Sequence, residues 1–133
     1  METGTYANSV AVAGGPAEAE RRAVEALAAE GFGVLSRIDV AATLRAKLGV
    51  EREPYVILGA CNPRCAHRGL EAEPLLGALL PCNVVVHVAE GTTRVAAVSA
   101  AAMLGVVGNP ELAPVAREVD ARLARVLEAL AAG

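Results

Sequence analysis

Two valine-rich runs of strand length, Asn83 to Ala89 and Thr93 to Val98, are separated only by Glu90-Gly91-Thr92. So short a connection forces the two strands to run antiparallel, because a parallel pair needs a crossover of about a dozen residues or more. A wholly parallel, doubly wound sheet is thereby excluded. The chain reads as α+β, with this hairpin late in the sequence and helical segments on either side of it.

The rest of the chain can be laid around the hairpin. Ser9 to Ala13 is a short apolar run stopped by Gly14-Gly15-Pro16, after which Ala17 to Glu30 reads as a helix with Val24, Leu27 and Ala28 on its apolar side. Pro16 suits the first helical position and Gly31 the left-handed cap. Phe32 to Ile38 predicts a strand. Asp39 then caps a short helix with the stripe Val40, Leu44, Leu48, ending at Gly49. Tyr55 to Ala60 is a continuous apolar run, expected to be a central strand buried on both faces.

Asn62-Pro63 starts a third helix, Arg64 to Ala72, by the same capping logic, and Pro74 and Pro81 bracket a further helical turn or two. Ala100 to Gly108 carries no readable pattern. Asn109-Pro110 opens a last helix with Leu112, Val115, Val119, Leu123, Val126 and Leu130 at three- and four-residue steps, a stripe for packing on a sheet or, less commonly, for a subunit contact. The expected architecture is one mixed or antiparallel sheet of about five strands, packed on the N-terminal helix and the long C-terminal helix. It forms a single domain spanning residues 1–133, a length that suits one core.

Composition narrows the partners. The net charge of -3 and a scatter of arginines among 15 acidic residues leave no basic stripe for a phosphate backbone, and three aromatics, Tyr6, Phe32 and Tyr55, offer no platform for stacked bases. No nucleic-acid partner is expected. No apolar run reaches the roughly 18 residues of a membrane span, and Met1 to Ser9 lacks the features of a leader, so a cytoplasmic location is expected. Three cysteines, an odd number, argue against structural disulfides.

The residues able to carry chemistry are few. Cys61 and Cys82 each stand at a strand end and are each followed by asparagine, Asn62 and Asn83, so folding could bring the two pairs to one side of the sheet. A thiol just before the helix that starts at Pro63 would feel the positive helix end, which favours the thiolate. His67, in the same helix, could serve as base or ligand. Against this stands the ordinary use of cysteine as a small buried hydrophobe, with Cys82 in phase with Val84, Val86 and Val88, and Asn62 accounted for by capping.

Cys61-x3-Cys65-x-His67 is not a zinc spacing, so neither metal nor other cofactor is expected. Cys65 reads as an incidental helix residue, and His87 as a sheet-face histidine. Gly14-Gly15 lacks both the G-x-G-x-x-G pattern and a Walker lysine, Lys47 being the only lysine. Glu71 and Glu73 read as solvated carboxylates.

Three blocks together carry a resemblance. Gly31-Phe32-Gly33-Val34-Leu35 with Ile38-Asp39-Val40, Gly59-Ala60-Cys61-Asn62-Pro63 with Ala66-His67, and Leu79-Leu80-Pro81-Cys82-Asn83-Val84 resemble the Domain of Unknown Function 302 family of bacterial and archaeal proteins. The resemblance implies a β-α-β(4)-α arrangement of the TATA-binding-protein-like type and implies no activity. Where the family pattern runs from the last strand into Asp-Pro, this chain has Ser99-Ala100, so a role resting on that acid is not carried over.

Two functions are compatible with these features. The first is a non-catalytic module that binds a small, partly apolar ligand or a protein partner, a second copy of itself in a homodimer being one such partner. The second is a thiol-based redox or soft-metal role, with Cys61 as the reactive atom and Cys82 and His67 in support. The first is preferred, because no convergent acid, base and nucleophile can be assembled from the chain.

Overall fold

The computed structural model describes all 133 residues. The strands are β1 (Glu2–Thr3), β2 (Ala7–Ala11), β3 (Gly33–Asp39), β4 (Tyr55–Cys61), β5 (Cys82–Ala89) and β6 (Thr92–Val98). The helices are α1 (Pro16–Ala29), α2 (Val40–Leu48), α3 (Pro63–Ala72), α4 (Ala100–Gly105) and α5 (Ala113–Ala132), with 3-10 segments at Pro74–Leu79 and Pro110–Leu112. All six strands form one sheet in the order β1-β2-β6-β5-β4-β3, every neighbouring pair antiparallel. The expected α+β fold is thus present, with one strand more than the sequence suggested. The two-residue β1 pairs Glu2 with Ser9 and Thr3 with Asn8, too short to leave any alternation in the sequence.

Register assigns each residue to a face. Val10, Val95, Val86 and Val56 are successive cross-strand partners in one row and are all buried. With Ala97, Val84 and Leu58 in the next row they make the inner face. The six stripe residues of the C-terminal segment, Leu112 to Leu130, are all buried in the same core, joined by Ala19, Ala23 and Leu27 of α1.

That corrects the expected face of α1 by one position: Val24 and Ala28 are exposed, because Ala19 and Ala23, without bulk, let the helix backbone approach α5 and the sheet. α2 also departs from expectation. Ala41 is its buried residue while Leu48 is 70% exposed, since α2 sits at one end of β4 where little apolar surface is available. On the other face of β4 only Gly59 is buried, beneath the Leu80–Pro81 segment, while Tyr55, Ile57 and Cys61 are half-buried, so the strand is covered on both faces at one end alone.

The expected caps form. Asp39 Oδ1 accepts from Ala42 N at 2.8 Å and Gly49 closes α2 at φ 66°. Asn62 Oδ1 accepts from Cys65 N at 3.2 Å at the start of α3. In the segment that carried no pattern, Ser99 caps α4, its Oγ accepting from Ala102 N at 3.2 Å.

Gly59 is the tightest point of the sheet. A Cβ there would collide with Ser36 Oγ on β3 and lie 2.7 Å from Pro81 Cγ, so the absence of a side chain lets β3 and the Leu80–Pro81 segment close over this end of β4. Gly59→Ala is expected to destabilise the protein by about 1–3 kcal/mol, the usual cost of overpacking. Urea denaturation of the two proteins measures it, and an unchanged midpoint would show that the approach is not tight.

Candidate functional site

The ends of β4 and β5 do not meet the helices flush. Between them lies a cavity of about 260 Å³. Ala60 and Cys82, direct cross-strand partners, form its sheet side, and Cys65 and Ala66 on α3 one wall. Leu76, Leu80 and Pro81 close another side, while Met103 and Leu104 on α4 and Val115 and Val119 on α5 lie across it. Three of the lining residues, Ala60, Ala66 and Ala100, are alanines, whose small side chains leave the space open. Gly69 of α3 allows Leu76 its place: a Cβ on it would stand 2.6 Å from Leu76 Cδ2.

Asn62 is the one amide in the lining, and its polar atoms are already engaged. Oδ1 caps α3, and Nδ2 donates to Glu30 O at 3.4 Å, joining the end of α1 to the start of α3. Arg122 Nη1 donates to the same carbonyl at 3.1 Å. What the cavity offers is apolar surface and thiols.

The three cysteines, all free, line this one cavity but differ in environment. Cys82 is buried, and burial first, with Cys61 and Asp120 adding to it, pushes its thiol up to about 11. Cys65 is also buried and its Sγ lies 3.6 Å from Glu118 Oε2 as donor, so burial and then the carboxylate's charge raise its pKa. Glu118 itself is held below the usual carboxylate range by hydrogen bonds from Arg68 and Arg122. Both buried thiols are therefore protonated at neutral pH. Cys61 is half-buried and pairs with Gly33 of β3, so strand alternation turns it to the other side of the sheet from Ala60 and Cys82.

Of the five residues singled out from sequence, Cys61, Asn62 and Cys82 come together at the cavity and two do not. His67 is exposed on α3, its Nε2 3.9 Å from Glu71 Oε1. Asn83 is exposed on the outer face, across from Gly59. Cys65, expected to be an incidental helix residue, is buried and lines the cavity; its i, i+4 relation to Gly69 on the buried side of α3 is the signal that places it. No three His, Cys, Asp or Glu side chains lie close enough to hold a metal ion.

With Ellman's reagent near neutral pH, the native protein is expected to show one promptly reacting thiol, lost in Cys61→Ser. Cys65 and Cys82 should react at least about tenfold more slowly until denaturant is added, because they are buried and protonated. Prompt reaction of two or three thiols would overturn this assignment.

Comparison with known proteins places this geometry among relatives. The family model described as domain of unknown function DUF302 matches residues 8–130. The crystal structure of an uncharacterised conserved DUF302 protein from Bacillus stearothermophilus is similar at 35% identity and a TM-score of 0.90, covering 96% of this chain and 99% of that one. No curated protein matches the chain. No helix is long and apolar enough to cross a membrane.

Proposed function

The chain belongs to the DUF302 family, and from that premise we propose that it is a non-catalytic module binding a small apolar molecule in the cavity between the β4 and β5 ends and helices α3, α4 and α5. The observation that carries this reading is the cavity's composition: about 260 Å³ walled by aliphatic side chains, Phe32 and thiols, with its single amide already paired. An apolar cavity of ~150 Å³ stays dry and takes up benzene, so this one suits a ring or short chain somewhat larger than benzene. A ligand with a strong polar group at its buried end would find no partner for it. Three free cysteines fit a reducing compartment, which supports a cytoplasmic setting.

Self-association loses one of its motives. The stripe of α5 is consumed by the protein's own core, leaving that face nothing to offer a second subunit. The thiol-based alternative narrows to Cys61, since Cys82 is held protonated and His67 points away from the cavity.

Toluene, titrated while methyl resonances of Met103, Leu104, Val115 and Val119 are followed by NMR, tests the proposal. Saturable shifts confined to these groups are expected, with a rise in Tm under excess probe. Met103→Trp, which fills the half-buried wall and supplies the only tryptophan, should abolish the shifts while leaving the protein folded. Absence of any saturable shift in the native protein would sink the reading.

A further inference from the structure

On the outer face of the sheet, Tyr55, His87 and Arg94 are cross-strand partners in one row over β4, β5 and β6. They lie on the side opposite the buried row of Val56, Val86 and Val95. The Tyr55 and His87 rings are 5.5 Å apart and tilted, and the Arg52 guanidinium stands 4.8 Å from the Tyr55 ring centroid. Arg94 Nη2 donates to Ser9 Oγ at 3.0 Å. The adjoining row of the same face, Ile57, Val85 and Ala96, is apolar and half-buried.

In a chain of net charge -3, three basic side chains converge here. The one carboxylate within ion-pairing distance is Glu2, 3.3 Å from Arg94 Nη2, 78% exposed and carried on the two-residue β1. An ion pair that open contributes little and is readily exchanged. The His87 pKa is lowered by burial first and then by the positive charge of Arg94 and Arg52.

We propose that this face is a second binding site, for a small planar organic carboxylate, distinct from the cavity and independent of its occupancy. The anion is taken by Arg94, His87 and Arg52, displacing Glu2. The ligand's apolar body lies over Ile57, Val85 and Ala96. Arginine's planar fork matches a carboxylate, and an inorganic anion would leave the apolar row uncovered, which is why an organic acid is the better occupant.

Benzoate is the probe, and the protein's two histidines make the measurement internally controlled, with His67 as reference. Titration into the full chain is expected to shift the His87 ring resonances saturably, with a Kd on the order of 1 mM. The His87 pKa should rise, since a nearby anion favours the imidazolium. Arg94→Gln should weaken binding at least about tenfold, whereas Glu2→Gln, removing the competing carboxylate, should tighten it. The proposal is overturned if His87 does not respond, if benzyl alcohol produces the same shifts, or if inorganic phosphate binds as tightly as benzoate.

Discussion

The burial of the apolar stripe of the C-terminal segment, α5 with Leu112 just before it, against the inner face of the sheet is the interaction on which the rest of the molecule depends. Its six residues, from Leu112 to Leu130, are all buried, and they reach that position by meeting rows of valine whose register is fixed across four strands. With no tryptophan and a single phenylalanine, the core is filled by short aliphatic groups that must approach closely to keep their dispersion contacts. Ala19 and Ala23 let α1 come in far enough to close it. The same shortage of bulk leaves space at the end of the sheet, where Val115 and Val119 on the first turns of α5, while part of the core, also line the cavity.

Around that cavity the fold is knitted by polar groups at helix ends. Asn62 caps α3 and reaches the last carbonyl of the α1 segment, and Asn109 does the same further on. Its Oδ1 accepts from Glu111 N, while its Nδ2 donates to Ala72 O and Glu73 Oε1. Glu118, from α5, accepts from Arg68 of α3 and from Arg122. A buried helix end without such partners would leave several orphan N–H or C=O groups. Each tie satisfies backbone or charge while fixing one wall of the cavity relative to another.

Much of this was legible before any coordinates, because it rested on chemistry local to the chain. The hairpin, the Asn-Pro helix starts, the Asp39 cap and the α5 stripe follow from spacing alone. Where expectation failed, the deciding quantity was non-local. Val24 and Ala23 are neighbours on α1, and only the position of the sheet decides which is buried. The apolar run of β4 looked two-faced because Ile57 is apolar, yet α1 and α5 pack on the inner face alone. Cys61 and Cys82 do come to the same cavity, but register puts Cys82 opposite Ala60, so the two thiols approach from adjacent positions and not as direct cross-strand partners. The outer-face row of Tyr55, His87 and Arg94 had no sequence signature, because its members come from three strands.

The start of α4, where the resemblance led to an expected Asp-Pro, is Ser99-Ala100 in this chain. An aspartate at the start of α4 would serve as N-cap and as a negative charge at the positive helix end. In this chain both tasks are met by other groups. Ser99 caps through its hydroxyl, and Asp120 of α5 brings its carboxylate to the same place, Oδ1 accepting from Ala100 N at 2.6 Å and Oδ2 from Ala101 N at 3.1 Å. Asp120 thereby ties α4, which bears Met103 and Leu104 of the cavity, directly to the helix that anchors the core. With Ser99 and Asp120 in these places, the start of α4 is satisfied without an aspartate in the loop.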